Sequence, residues 1–251
     1  MDLTERFWNA SLEELKWGYA EEKEAYVCLV CGHSAEKGVV YPGDGVWYEA
    51  AKYIRRHVEG AHGSMFDYLV SLDKKLTGLT EHQAQLLRLF HQGRSDAEVQ
   101  KELGIGSAST IRNHRFALKE KERQAKLFLA MMELLKERDR HAPAFMDVHR
   151  TARMVDDRYN VTEREREAAI AKYFLEGPEG MLKTFKLPEK QKLIVLRQIA
   201  DRFERGRIYT EKESNEVLKT AYDDYVILRR YLIEYGFLDR KPDGSEYWLK
   251  D

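Results

Sequence analysis

Apolar residues recur at helical spacing through most of the chain, and short polar or glycine-containing breaks separate one run from the next. Over residues 79–119 this pattern predicts three helices. Thr80 is placed to cap the first helix, and Ser95 opens a capping box for the second. The glycine at Gly104 permits a sharp turn, so the third helix is expected to begin near Ser107.

On a wheel of 3.6 residues per turn, the third helix has two different faces. The face expected to contact the other two helices consists of Ala108, Ile111 and Leu118. The opposite face carries Ser109, Arg112, Asn113 and Phe116, and it is flanked by Ser107, Thr110, Arg115 and Lys119. Arginine can bind guanine bidentately, asparagine can bind adenine, and an aromatic ring can contact a thymine methyl, while the flanking side chains suit phosphates.

The third helix is also locally basic, with six Lys or Arg against two Glu from Ser107 to Lys126. The glycine turns, the helix caps and the polar outer face together predict a helix-turn-helix. In such a motif this third helix would insert into duplex DNA. The alternative is a solvated charged helix in an all-α domain.

Several motifs in this segment resemble the LuxR/GerE-type helix-turn-helix of bacterial transcription regulators. The matching residues are Leu79 and Thr80, Leu86 to Phe90, Gly93 to Ser95, Glu98 and Val99, Leu103 to Ile105, and Thr110 to Arg115. The resemblance covers roughly a sixth of the chain, and it implies that Arg112, Asn113 and Phe116 face the bases. Phe116 stands where the family commonly has a basic residue.

A second candidate site lies nearer the N-terminus, where Cys28 and Cys31 form a CxxC motif. A hairpin over Tyr41–Trp47 and a helix over Glu49–Ala61 follow, with His57 and His62 at the end of that helix. A CxxC turn aims both sulfurs at one point, and two histidines five residues apart are spaced as in zinc fingers. The sequence therefore predicts zinc held by Cys28, Cys31, His57 and His62.

His33 is the alternative fourth ligand, and a second alternative is a pair of buried cysteines with two surface histidines and no metal. Four protein ligands leave no open position for a reacting water, so the predicted zinc is structural. The same helix carries Lys52, Arg55 and Arg56, which leaves contact with DNA or RNA open beside the simpler interpretation of a solvated face.

The remaining pattern completes the predicted architecture. Residues 3–24 indicate one or two amphipathic helices, and residues 118–140 continue the third helix with a broad apolar stripe, Leu127, Phe128, Met131, Met132, Leu134 and Leu135. Such a stripe must be buried, either on the N-terminal module or against a second copy in a homodimer. The predicted domains are residues 1–75 (zinc-finger-like module), 76–140 (helix-turn-helix with the long helix), 141–187 (helical linker) and 188–251.

The last segment reads helix, short strand, helix, helix and β-hairpin, which is winged-helix order. It resembles an uncharacterised domain found at the C-terminus of bacterial transcription regulators. The matching residues are Leu193 to Ile199, Tyr209 to Glu213, Asn215, Asp223 to Tyr225, Leu228 to Leu232, and Gly236 to Arg240. Ten Lys or Arg against nine Asp or Glu in residues 188–235 give no strong electrostatic footprint, so DNA contact and partner binding both stay open here.

Composition narrows the functional classes. The 251 residues carry a formal net charge of -1, so any DNA affinity must come from local patches. There is no apolar run long enough to span a membrane and no signal-peptide signature, which predicts a cytoplasmic protein. No phosphate-binding loop or nucleophile motif favours an enzyme. The fold expected is mainly α with small β, and the function expected is a sequence-specific, DNA-binding transcription regulator with structural zinc. The alternative is a zinc-stabilised interaction or RNA-binding protein.

Overall fold

The computed structural model describes residues 3–250 and shows a mainly helical protein with small β-sheets, which confirms the predicted class at that level. The chain forms two compact units. Unit 1 combines Met1–Thr77 with Ala144–Asp251, and unit 2 is Gly78–Pro143. The division into four domains stays a prediction.

The N-terminal part of unit 1 is an α+β module. Its elements are α1 (Leu3–Asn9), α2 (Leu12–Trp17), β1 (Tyr19–Glu21), β2 (Ala25–Cys28), β3 (Ser34–Glu36), β4 (Val40–Gly43), β5 (Val46–Glu49), α3 (Ala50–His62), α4 (Met65–Ser71) and α5 (Lys74–Thr77). Strands β1, β2 and β3 form an antiparallel sheet, and β4 pairs with β5. The core between the larger sheet and α3 includes Tyr19, Cys28, Ala35, Ile54 and Val58.

Helix α2 ends earlier than the sequence pattern indicates. Gly18 takes a left-handed conformation with φ of 81°, and its N–H bonds back to the carbonyl of Glu14. The next residue, Tyr19, pairs with Cys28 in the sheet. The prediction of helix through residue 24 is therefore wrong over Tyr19–Glu21, because a glycine C-cap is followed at once by a strand.

The predicted hairpin is present as β4 and β5, and Tyr41 lies opposite Tyr48 in its register. Asp44 and Gly45 form the turn with positive φ values of 50° and 77°. Two successive left-handed residues match the twist of antiparallel strands, as two-residue hairpin turns require.

The C-terminal part of unit 1 holds the largest hydrophobic core. Its elements are a 3₁₀ turn (Asp157–Tyr159), α9 (Glu163–Tyr173), α10 (Glu189–Ala200), β6 (Ile208–Thr210), α11 (Glu211–Lys219), α12 (Tyr225–Tyr235), β7 (Leu238–Arg240) and β8 (Glu246–Leu249). The sheet order is β6-β8-β7, fully antiparallel. Residues 141–187, interpreted from sequence as a helical linker, supply core side chains that include Met146, Tyr159, Phe174, Leu182 and Phe185.

Unit 2 consists of α6 (Glu81–His91), α7 (Asp96–Glu102) and α8 (Ala108–Lys136). Thr80 and Ser95 form capping boxes with Gln83 and Glu98, and the Ser107 hydroxyl caps α8 by accepting from Thr110 N. The small core contains Leu86, Leu89, Val99 and Ile111. Ala108 was expected to face this core but is exposed, so that prediction is wrong; it lies in the first turn, before the helix meets its neighbours.

Across residues 3–250, none of the helices combines the length and the apolar character that crossing a bilayer requires.

Candidate metal centre and candidate nucleic-acid interface

The cysteine pair lies in a tight turn at the end of β2. Gly32 N donates to the Cys28 carbonyl at 3.0 Å, and Gly32 has a φ of 79° that favours glycine. The Val30 N–H points at Cys28 Sγ at 3.4 Å. This backbone turn holds both sulfurs on the side that faces α3, from which His57 and His62 project.

The structure brings the four predicted ligands together. One ligand atom from each of Cys28, Cys31, His57 and His62 lies within 4.8 Å of all the others, and the group could hold a metal ion. Cys31 Sγ is 3.1 Å from His57 Nε2. His62 Nε2 is buried and has no hydrogen-bond partner in the described part of the chain. A buried imidazole nitrogen without a partner is costly, and a metal ion would satisfy it.

A hydrogen bond between the two cysteine side chains moves their pKa values apart. A hydrogen bond from Cys31 lowers the pKa of Cys28 to about 7, although burial opposes the shift. The same hydrogen bond, together with burial, raises the pKa of Cys31 to about 12. One sulfur is thus close to thiolate at neutral pH, and thiolates are the form in which cysteine binds metals.

His33 lies outside this group. Its ring is exposed and stacks on His57 with centroids 4.3 Å apart, and its carbonyl accepts from Cys28 N at 2.8 Å. It therefore contacts the ring of one candidate ligand, His57, and the backbone of another, Cys28.

A buried arginine from the C-terminal part of unit 1 contacts the cysteine turn. Arg150 is 4% exposed, and its guanidinium donates to the carbonyls of Leu29 and Val30 and, at 2.8 Å, to the hydroxyl of Tyr68. It also lies 5.2 Å from the ring of Phe7. Sequence reasoning missed this residue, because a lone arginine between predicted elements carries no local signal of burial.

The outer face of α8 is open to solvent. Arg112, Asn113 and Phe116 are exposed, Phe116 at 65%, while Ile111 is completely buried. Within residues 3–250 the side chains of Arg112 and Asn113 have neither a hydrogen-bond partner nor an ionic one. Helical register thus separates a core-facing residue from two adjacent polar side chains.

The flanking residues have partners inside unit 2. Arg115 donates to Asp96 at 2.9 Å and lies 3.6 Å from the ring centroid of Phe90, while Lys119 pairs with Glu122 at 2.6 Å. The flanking residues Ser107 and Thr110 share a hydroxyl network at the N-terminus of α8 with Ser109, which belongs to the outer face. These side chains are held in place, whereas the two central polar residues are not.

Comparison with known proteins finds a family match for the C-terminal segment. Residues 181–249 match a family described as an uncharacterized protein conserved in bacteria (DUF2087). The expected similarity of the last segment to an uncharacterised bacterial domain is confirmed at this level, and the LuxR/GerE resemblance stays a prediction. None of the curated proteins and none of the solved structures shows a significant match to the chain.

Proposed function

We propose that this protein is a sequence-specific DNA-binding transcription regulator whose unit 2 is a LuxR/GerE-type helix-turn-helix. The observation that carries the proposal is the sidedness of α8: Ile111 is buried, and the adjacent Arg112 and Asn113 are exposed and unpartnered. Leaving two planar hydrogen-bonding side chains free side by side is what bidentate reading of guanine and adenine requires. Arg115, fixed by Asp96 and Phe90, is an ordered flank for a phosphate contact.

The local charge agrees with this role. Six Lys or Arg against two Glu from Ser107 to Lys126 concentrate positive charge on one helix of a chain whose net charge is -1. A basic stripe of this kind is the electrostatic footprint of a nucleic-acid interface.

The C-terminal elements support a winged helix in the same protein. Helices α10, α11 and α12 precede the hairpin of β7 and β8, and β6 completes a three-stranded sheet in the order expected of that fold. Asp223 and Asp224 precede α12, and their charge would oppose phosphate, so this domain is assigned no DNA contact.

The metal proposed for the Cys₂His₂ group is zinc in a structural role. Two thiolates and two imidazoles are the donor set that zinc prefers, and the four-ligand shell leaves no site for a reacting water. When bound, zinc would join β2 to α3 in a module whose core is small.

The zinc proposal is tested by metal analysis of purified protein. Wild type should contain one equivalent of zinc, and Cys28→Ser should lose it, with a lower melting temperature. His33→Ala is the matched control, since it removes a neighbouring histidine outside the ligand group and should keep the metal. Retention of zinc by Cys28→Ser, or its loss in His33→Ala alone, would refute the ligand set.

The DNA proposal is tested by selection from random duplexes. Wild-type protein should enrich one motif that contains a guanine and an adenine in fixed positions, while Arg112→Ala with Asn113→Ala should enrich none. Weak binding without any motif would contradict the proposal.

The second candidate, a zinc-stabilised interaction or RNA-binding protein, is favoured by the hairpin of β4 and β5. Trp47 is 69% exposed and Val40 is 56% exposed on its outer side, an apolar surface suited to a partner. Lys52 and Arg56 lie over the ring of Tyr48, and Arg56 also pairs with Asp44. The absence of a DNA motif in the selection would favour this candidate.

A further inference from the structure

The second half of α8 exposes large apolar side chains over about two and a half helical turns. Leu127, Phe128, Leu129, Met131, Leu134 and Leu135 are each between 49% and 67% exposed. Leu129 lies on the opposite side of the helix from Met131. The other five side chains expose an apolar area on the order of 550 Å². This is at the upper end of the patches that single-chain proteins expose, and about two thirds of the roughly 800 Å² that each partner buries in a stable interface.

This surface is centred on Met131. With about 100° between successive residues, Leu127, Phe128, Leu134 and Leu135 all lie within roughly 60° of it. One further turn follows Lys136, since Glu137 N donates to the Glu133 carbonyl and Asp139 N to the Leu135 carbonyl. The face therefore runs from the middle of α8 to residue 139.

Charged residues line both edges of the face, with a different sign at its two ends. Lys121 and Asp139 lie on one edge, and Arg123 and Glu137 lie on the other. If two copies pair antiparallel about Met131, Lys121 comes opposite Asp139 of the second copy. Arg123 comes opposite Glu137 in the same way, each pair being offset by about 3 Å along the axis. Opposite charges at the edges of a helix pair set its orientation.

Parallel pairing of the two helices would instead bring like charges together. Lys121 would then face Arg123 of the second copy, and Asp139 would face Glu137, so like charges would meet on both edges. The edge charges thus distinguish between the two orientations.

We propose that two copies of this chain associate through an antiparallel pair of α8 helices centred on Met131. The second copy's helix then ends opposite Arg123, and Phe116 lies seven residues, about 10 Å, beyond that end. The outer face of Arg112 and Asn113 therefore stays clear of the pairing surface, and the proposal does not depend on DNA binding.

The test measures the association of the full-length chain by analytical ultracentrifugation without DNA. Wild type should form a dimer. Met131→Lys with Leu134→Lys should be monomeric, and its helicity should be checked by circular dichroism. Lysines in the apolar face could also disturb the fold. Variants that reverse the charges at the edges of the face therefore provide an independent test.

Glu137→Lys with Asp139→Lys should raise the dimer dissociation constant at least tenfold, and so should Lys121→Glu with Arg123→Glu. All four substitutions together should restore association. Lys126→Glu with Lys136→Glu is the matched control, since it also reverses two charges, but on the outer side of the helix.

If wild type stays monomeric at concentrations up to about 100 µM, the proposal is wrong. The apolar face would then be covered by unit 1 or by a different partner. The antiparallel arrangement would be overturned if neither charge reversal changed the dimer dissociation constant. It would also be overturned if the variant with all four substitutions did not recover association.

Discussion

At the scale of single residues, burial fixes the protonation of His149. Its Nε2 lies 3.0 Å from the carbonyl of Tyr235, Nδ1 lies 3.3 Å from the Tyr159 hydroxyl, and the ring stacks on Phe237 with centroids 4.0 Å apart. The Nε2–H donates a hydrogen bond to the carbonyl, and the Tyr159 hydroxyl donates one to Nδ1. Desolvation lowers the pKa of His149 to about 3, and the positive charge of Arg197 and Lys250 adds to this effect.

The depressed pKa predicts an acid-sensitive fold. In the unfolded chain His149 has a pKa of 6.5, so below that pH it is protonated, whereas in the folded chain it stays neutral. The free energy of unfolding therefore falls as the pH drops from about 6.5 to about 3. The loss should approach the order of 4 kcal/mol. Urea unfolding of wild type and His149→Gln across this range measures it, and a difference between them that does not change with pH would contradict the account.

The four candidate metal ligands could be found from the sequence, because each belongs to a local spacing rule. Cys28 and Cys31 define a turn, and His57 and His62 belong to one helix end. The spacing favoured His62 but left His33 open as an alternative, since which histidine joins the group depends on how α3 packs across the sheet. Arg150 was missed for the same reason, as its partners lie more than eighty residues away in sequence.

At the scale of elements, capping and turn signals predicted the boundaries of unit 2 well. Thr80, Ser95 and Ser107 cap the three helices as expected, because N-caps act within one turn of chain. The N-terminal strands were missed because β1 has only three residues and follows α2 without a break. A strand that short shows no alternating pattern and depends on its pairing with β2.

Gly18 holds the junction between α2 and β1, and replacing it should be costly. A Cβ there would lie 2.6 Å from Met65 Cγ and 2.8 Å from Val58 Cγ1, in addition to the strain of a φ of 81°. Gly18→Ala should lower the free energy of unfolding by about 3 kcal/mol. Gly38→Ala is the control, because its φ is 82° but no atom lies within 4 Å, and it should cost about 1 kcal/mol. Equal losses in urea unfolding would show that the predicted clash is relieved.

At the scale of the whole molecule, residues distant in sequence join into one unit around the cysteine turn. Trp8 Nε1 donates to the Val148 carbonyl at 2.7 Å, and Arg150 binds the carbonyls of Leu29 and Val30. The cysteine turn, with its candidate metal ligands, and the C-terminal part of unit 1 therefore share a buried contact. Local sequence patterns carry no information about such long-range contacts.

Removing this contact should weaken both stability and metal binding. Arg150→Met keeps an apolar stem but leaves two buried carbonyls without a donor, at a cost of about 3 kcal/mol. Zinc affinity, measured by competition with a chelator, should fall about tenfold, as expected when a group that supports metal ligands is lost. Arg153→Met is the control, since its side chain is 46% exposed and its nearest carboxylate is 4.0 Å away. If Arg150→Met binds zinc with unchanged affinity, zinc binding does not depend on the contact made by Arg150.

The most direct test of the proposed function is the ratio of affinities for the selected duplex and a scrambled duplex of equal length, measured at a fixed salt concentration. Wild type should prefer the selected duplex by at least about a thousandfold. Arg112→Ala with Asn113→Ala should lose most of that ratio while retaining salt-dependent binding to both duplexes. A ratio near one for wild type, or a ratio that this double substitution leaves unchanged, would contradict the claim that α8 reads DNA sequence.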